Sequence, residues 1–217
     1  MSLAVLVFSR TTGFRHESIP AGIAAIFDLG ATHGFTVLAT EDAAEFHRLT
    51  AYQVVIFLNT SGDVLDDAQR SAFEAYIRAG GGYVGVHSAS NTEYDWPFYG
   101  SLVGAYFDQH PHVQEATVTV ADHDHPATAH LPARWVRTDE WYDFRSHVRG
   151  RARVLLALDE STYAGGRMGE DHPFAWCHES LGGRAFYTAG GHTDESYADP
   201  DFRYHLLGGI RWAAKLA

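Results

Sequence analysis

The stretch GGGYVGVHSASN, residues 80–91, carries the pattern on which the fold depends. Residues 83–86 (YVGV) form a short apolar run, with three glycines before it and the polar His87 directly after it. Such a run is typical of a central strand that is buried on both faces of a parallel sheet. The sequence therefore predicts a buried strand that ends in a loop carrying a histidine.

Apolar runs on both sides of this segment predict the other strands of the same sheet. They are too short for buried helices and are rich in β-branched and aromatic residues. A tight turn at Gly182 and Gly183 is expected to join the last two. The predicted strands cover residues 3–8, 35–39, 54–58, 114–120, 153–159, 174–178 and 184–190.

Helical periodicity separates several of these strands. Three helices are predicted, starting at Ile19, Asp66 and Asp199. Ser18 is expected to cap the first helix, and Asp66 with Gln69 to form a capping box at the second. Alternating strands and helices predict an α/β three-layer sandwich with a mainly parallel central sheet. We expect one domain over residues 1–217, because the chain has the length of a single core.

Composition and charge narrow the classes of function. The formal net charge is −11, and no lysine or arginine cluster occurs, which argues against nucleic acid as a partner. No apolar run approaches the roughly 20 residues of a membrane span, and the N-terminus lacks the pattern of a secretory signal. We therefore expect no membrane partner and a cytoplasmic location.

Cysteine and histidine usage point to the chemistry. The single cysteine, Cys177, allows neither an intramolecular disulfide nor a thiolate cluster, and it is expected to be buried in a strand. The chain has 14 histidines, which favours acid/base or metal chemistry. Four of them are expected to face solvent from polar loops: His123, His125, His130 and His172.

Polar side chains follow three of the predicted strands. Ligands of open α/β sheets bind beyond the carboxyl ends of the strands, so these side chains are expected to converge on one site. They are Arg15 and His16 after the first strand, His87, Ser88 and Asn91 after the central strand, and His192, Asp194 and Glu195 after the last strand.

Several blocks in the same order resemble the trehalose-utilisation (ThuA-like) family and cover nearly the whole chain. They are GFRHESI, GGGYVGVHSASN with the following DWPFYGSLVGAYFDQHP, DEWY at residues 139–142, and the segment from HPFAWCHES to GGIRWA. The resemblance implies a class I glutamine-amidotransferase-like (flavodoxin-like) fold. It also implies a link to the catabolism of sugars, particularly disaccharides and their 3-keto derivatives.

The comparison with the wider superfamily shows a missing nucleophile. A glutamine amidotransferase carries a cysteine in a G-x-C-x-G elbow, activated by a histidine after a later strand. Here the elbow reads Gly-Val-His-Ser-Ala, so His87 stands where the cysteine would be, while the later histidine matches His192. Amidotransferase activity is therefore not expected.

Two chemistries remain open for the histidines. In the first, His87, His192 and Glu140 act as general acid and base on a sugar. In the second, a divalent ion such as zinc is bound, with His87, His110, His112 and His192 as candidate ligands. The candidate substrate-binding residues are Arg15, His16, Ser88, Asn91 and Tyr142. No dinucleotide cofactor is expected, because no G-x-G-x-x-G follows a strand.

The sequence thus predicts a sugar-catabolism protein that acts on a disaccharide-derived sugar or 3-keto-sugar by acid/base or metal-assisted chemistry, as a hydrolase, lyase or isomerase. A small-molecule carbohydrate is the expected partner, and self-association into a homo-oligomer is expected as well. One alternative is a carbohydrate-binding or regulatory module without catalysis, and another is a structural oligomerisation domain.

Overall fold

A nine-stranded sheet organises the computed structural model, which describes residues 3–216. The strands are β1 (Ala4–Phe8), β2 (Thr36–Thr40), β3 (Val54–Leu58), β4 (Gly82–Val86), β5 (Phe107–Gln109), β6 (Gln114–Val120), β7 (Arg134–Asp139), β8 (Asp143–Phe144), β9 (Arg153–Asp159), β10 (His172–His178) and β11 (Ala185–Thr188). The order in the sheet is β2-β1-β3-β4-β11-β10-β9-β6-β7, and β5 pairs with β8 separately.

The parallel part of the sheet lies around the predicted central strand. Strands β2, β1, β3, β4 and β11 pair in parallel, and β4 lies between β3 and β11. Strands β10, β9, β6 and β7 continue the sheet in antiparallel pairs. The predicted α/β class with a parallel central sheet is confirmed.

Helices cover both faces of the parallel strands. They are α1 (Ile19–His33), α2 (Asp67–Arg78), α3 (Pro97–Val103), α4 (Asp194–Ala198) and α5 (Pro200–Ala213), with 3-10 segments at Ala43–Ala51, His87–Asn91 and Glu160–Thr162. The Phe57 ring stacks on Phe73 of α2, with centroids 5.2 Å apart, whereas the next residue, Leu58, packs against Gly22 of α1. Successive strand residues point to opposite faces, so α1 and α2 form the two outer layers. None of the helices within residues 3–216 has the length and apolarity needed to cross a membrane.

Two of the predicted helix caps have different outcomes. Asp66 accepts from the backbone N–H of Gln69, and the Gln69 side chain accepts from the Asp66 N–H, so the capping box is confirmed. The prediction for Ser18 is wrong: its side chain makes no cap, and its backbone is already helical. Its hydroxyl instead donates to the carbonyl of Gly191, at 3.2 Å, because a tertiary contact competes for the same oxygen.

The glycines before β4 allow a close approach between backbones. A Cβ on Gly82 would lie 2.5 Å from the carbonyl oxygen of Ala213 and 3.0 Å from that of Gln53. Both neighbours are backbone atoms, so they cannot make room by a change of side-chain rotamer. We expect Gly82→Ala to lower the free energy of unfolding by about 1–3 kcal/mol. Urea denaturation tests this, and an unchanged midpoint would contradict the packing described.

The predicted exposure of four loop histidines is half right. His123 and His130 are exposed, but His125 and His172 are buried, which corrects the sequence interpretation for both. His125 accepts from the N–H of Ala127 and lies against Trp212. His172 is the first residue of β10 rather than part of a loop. Cys177 is buried in the same strand as predicted, and burial raises the pKa of its thiol to about 12.

Buried His205 on α5 makes stability depend on pH. Burial lowers the pKa of His205 from 6.5 to about 3, and its Nδ1–H donates to the carbonyl of Ala127. Below pH 6.5, His205 becomes protonated in the unfolded chain but stays neutral in the folded chain. The free energy of unfolding therefore falls as the pH falls. In His205→Phe, we expect the decline from pH 6.5 to about pH 5.5 to shrink by about 1 kcal/mol. Urea titrations at both pH values measure it, and parallel pH profiles would contradict the assignment.

Candidate functional site

Four titratable side chains converge at the carboxyl edge of the sheet. They are His16, His87, Glu140 and His192, which we call the histidine–glutamate cluster. One possible ligand atom from each lies within 4.8 Å of those of the other three. Three are buried and His192 is half-buried. The convergence predicted for the strand ends is therefore present for His16, His87 and His192.

His87 occupies a strained turn directly after β4. Its φ is 49°, in the left-handed region that residues other than glycine rarely adopt. The hydroxyl of Tyr187 donates to its carbonyl at 2.8 Å, and the ring of Tyr142 stacks on its imidazole at 4.1 Å. Its Nδ1–H donates to the carbonyl of Ala189 at 2.7 Å, so the lone pair is left on Nε2. The fold thus fixes both the position and the tautomer of His87.

Asp139, at the end of β7, ties the cluster to the rest of the molecule. This buried carboxylate accepts five hydrogen bonds, from the side chains of Arg137 and Ser196 and from the backbone N–H groups of Glu140, Gly191 and His192. In a flat sheet β7 would lie roughly 19 Å from β11, at about 4.8 Å per strand. The loop after β11 reaches Asp139 through Gly191 and His192, and this contact brings Glu140 to His87.

Glu140 lies between two histidines. Its Oε2 is 3.2 Å from His192 Nδ1 and 3.4 Å from His87 Nε2, and those two nitrogens are 3.3 Å apart. Burial alone would raise the pKa of Glu140, but the hydrogen bond from His192 and the neighbouring ring of His87 hold it well below its usual value. Although burial opposes it, the hydrogen bond to Glu140 raises the pKa of His192. Glu140 is therefore ionised.

His16 completes the cluster from the loop between β1 and α1. Its ring meets those of His87 and His192 edge to face, at 4.8 and 5.1 Å. The Ser88 hydroxyl lies 3.3 Å from its Nδ1. Burial, together with the neighbouring histidines, lowers the pKa of His16 to about 2, so this ring is neutral.

An open cleft of about 550 Å³ gives access to His16 and His192. Its wall is acidic, with Glu17, Asp194 and Glu195. Arg15 also lines it, but the guanidinium pairs with Glu41 at 2.7 Å, and both side chains are half exposed. The cleft volume falls in the range of small-molecule pockets.

Other predicted site residues lie around the cluster or away from it. His110 Nδ1 is 3.0 Å from Glu140 Oε1 and 2.8 Å from the carbonyl oxygen of Pro111. His112 is exposed and is not one of the four clustered residues. The Asn91 side chain accepts from the Tyr94 hydroxyl, and Tyr142 is buried against His87. The roles of Asn91 and Tyr142 in substrate binding stay predictions.

Sequence reasoning missed the residues that hold the cluster in place. Asn59 follows β3 with a φ of 49° and donates to Ser18 and to the Gly191 carbonyl. Its position directly after a buried strand could have pointed to it. Arg137 and Asp139 alternate with exposed residues along β7, but because both are polar, the sequence shows no alternation of apolar and polar residues from which the strand could be predicted. Ser196, which bonds both, carried no sequence signal.

The fold and the cluster define a class: an α/β protein with a class I glutamine-amidotransferase-like fold, in which a histidine takes the place of the cysteine nucleophile. The family model described as trehalose utilisation (ThuA) matches residues 4–213. The chain therefore belongs to the ThuA family. That description supports a role in sugar metabolism.

Solved structures agree with this assignment. A ThuA-like protein from Bacteroides uniformis is 28% identical with a TM-score of 0.85, and the match covers 97% of this chain and 91% of that one. One from Parabacteroides merdae is 21% identical with a TM-score of 0.83, covering 99% and 90%. A GMP synthase subunit from Thermoplasma acidophilum shares the fold at 10% identity and a TM-score of 0.60, covering 99% and 96%. No curated protein matches this chain significantly.

Proposed function

We propose that this protein is a sugar-catabolism enzyme that transfers protons to and from a disaccharide-derived sugar or 3-keto-sugar. The observation that carries the proposal is the ionised Glu140 between His87 and His192, next to an open cleft. Paired groups of this kind are what general acid/base catalysis requires. The family description, trehalose utilisation, supports a sugar as the substrate.

The chemistry follows from the charges of the cluster. A carbonyl in a sugar ring acidifies the neighbouring C–H bond. A basic group of the cluster accepts that proton, and the electron pair of the broken bond moves to the carbonyl oxygen as an enolate. A protonated group, with His192 the best placed because Glu140 raises its pKa, donates a proton to the oxygen that gains the charge. Charge and protons balance within the site.

The cleft favours a substrate without negative charge. Glu17, Asp194 and Glu195 line it, and its cation, Arg15, is already paired with Glu41. A phosphorylated or acidic sugar would meet like charges at these side chains, which is unfavourable. The site therefore suits a neutral sugar, whose hydroxyls donate hydrogen bonds to carboxylates.

A solvent-exchange experiment tests the proposal without knowledge of the final product. The protein is incubated in D₂O with 3-keto-disaccharides, the parent disaccharides and a sugar phosphate, and each mixture is followed by NMR. We expect deuterium to enter next to the carbonyl of a keto-sugar, or that sugar to be converted, with no reaction of the phosphate. Binding by calorimetry without exchange or conversion would instead establish a binding module.

A further inference from the structure

We propose that His87 Nε2, His192 Nδ1 and Glu140 Oε2 together hold a zinc-type divalent metal ion, with His16 next to its open position. We call these three atoms the ligand triangle. Its sides are 3.2, 3.3 and 3.4 Å. In a tetrahedral site with metal–ligand distances of about 2.0–2.1 Å, ligand atoms lie roughly 3.3–3.4 Å apart. The side chains are therefore already spaced as three corners of a tetrahedron.

Hydrogen bonding alone gives a poor account of this arrangement. His87 gives its Nδ1–H to the Ala189 carbonyl, so its Nε2 lone pair faces the carboxylate oxygen Oε2 of Glu140 at 3.4 Å with no proton of its own between them. Two lone pairs directed at each other are unfavourable. A cation at the centre would be coordinated by all three atoms through lone pairs, and this removes the conflict. Two imidazoles and a carboxylate with an open position form a common catalytic zinc site.

The surroundings of the triangle orient its members as outer partners of a metal site do. The Ala189 carbonyl takes the Nδ1–H of His87, which directs the Nε2 lone pair into the triangle. His110 lies 3.0 Å from Oε1, the other oxygen of Glu140. Because His110 Nδ1 also faces the Pro111 carbonyl, this nitrogen is a donor and not a ligand. Asp139 fixes the backbone of His192.

A second group of metal-binding residue types shows the contrast. The group consists of Asp143, Glu160 and His172, and one possible ligand atom of each lies within 4.8 Å of those of the other two. Both ring nitrogens of His172 face oxygens, Nδ1 that of Glu160 at 2.7 Å and Nε2 the carbonyl of Tyr142 at 2.8 Å. Asp143 is occupied by the side chain of Gln109 and the N–H of Arg167. Both ring nitrogens of His172 thus have partners within the protein, so this group lacks the free imidazole nitrogen that the triangle offers.

The inference deepens the proposed function and rests on it only for the role of the ion, which would take over from His192 the stabilisation of charge on the substrate oxygen. A divalent ion at the triangle would polarise a sugar carbonyl or hydroxyl at the open position. His16 lies beside the triangle, so it is then the residue of the cluster left to bind the ion or to accept a proton from the substrate.

Metal analysis of protein purified without a histidine tag tests the inference. We expect close to one equivalent of zinc or a related divalent ion by mass spectrometry. In Glu140→Gln and His192→Ala, the affinity for added Zn²⁺ should fall by about 10-fold or more. His112→Ala is the matched control, since His112 is an exposed histidine outside the cluster, and it should bind as the unmodified protein does. Cobalt substitution adds a second readout, because a tetrahedral ion absorbs strongly in the visible range.

The outcomes separate this inference from the proposed function. If the purified protein holds no ion and gains none from added zinc or cobalt, the metal site is wrong, even if a keto-sugar still turns over. Equal binding in Glu140→Gln and the unmodified protein would also overturn it. Stoichiometric binding that these variants lose, without conversion of any sugar, would support the metal site and contradict the proposed enzyme.

Discussion

The Glu140→Gln variant is expected to lose about 100-fold or more of its turnover of a keto-sugar, equivalent to about 2.7 kcal/mol of transition-state stabilisation. Glutamine keeps the shape of the side chain but removes the negative charge that lies 3.2 Å from His192 and 3.4 Å from His87. Without that charge, the pKa of His192 is no longer raised and the cluster has no anion. Initial rates with the substrate found by solvent exchange measure the loss.

Glu74→Gln is the matched control for this variant. Glu74 pairs with Arg78 one turn further along α2, on the surface, so the same change there should leave the rate unaltered. His87→Ala and His192→Ala should fall by a similar factor to Glu140→Gln if the cluster works as one unit. Wild-type rates in Glu140→Gln, with the fold intact by circular dichroism, would remove Glu140 from the mechanism.

The Asp139→Asn variant is expected to be less stable by about 3–5 kcal/mol, because Arg137 would be left buried without its counter-charge. The Arg137 guanidinium lies between the rings of Trp135 and Phe202, at 4.4 and 4.6 Å, and Asp139 is its carboxylate partner at 3.0 Å. An asparagine would also turn its NH₂ group towards donors that now point at an oxygen. Urea denaturation measures the difference in free energy of unfolding.

Asp171→Asn gives the comparison for a surface pair. Asp171 and its partner Arg149 are largely exposed, and such pairs contribute about 0–1 kcal/mol. Asp139→Asn should also release the backbone of His192, so activity should fall even under conditions where the variant stays folded. Equal stability losses in the two variants would contradict the role of Asp139 as the central acceptor.

The strained turn after β4 has the geometry expected of a nucleophile elbow. In a nucleophile elbow, a tight turn after a strand presents the reacting side chain at the sheet edge. This chain keeps that backbone geometry at His87, with its φ of 49°, but supplies an imidazole in place of a thiol. Cys177 cannot substitute, because it is buried in β10 and burial raises the pKa of its thiol.

Much of the fold could be predicted because its signals are local. The run of residues 54–58 is buried throughout, as a continuous apolar segment requires, and the capping box at Asp66 depends only on residues three apart. The Ser18 cap failed for the opposite reason. The hydroxyl of Ser18 donates to the carbonyl of Gly191, which is distant in the sequence, and no local pattern predicts that partner.

The candidate site likewise combines features that local sequence signals predict with features that depend on tertiary contacts. His16, His87 and His192 follow parallel strands, and the rule that strand ends share one edge predicts their convergence. Neither the exclusion of His112 nor the outer position of His110 could be read from spacing, since Pro111 separates two residues of the same type. Their distances to Glu140 depend on the tertiary contacts of the residues that follow β7, which are distant from both histidines in the sequence.

By itself, the sequence determined the strands of the main sheet except β7, the helices α1, α2 and α5, the histidine in the elbow and the family blocks, because hydrophobic period, capping and turn chemistry act over a few residues. Only the tertiary structure decided that Asp139 accepts from the backbone of Gly191 and His192, and that Glu140 meets His87. These contacts join positions far apart in the sequence, 52 residues for Asp139 and Gly191, and they arise from burial of one shared core, which no local pattern records.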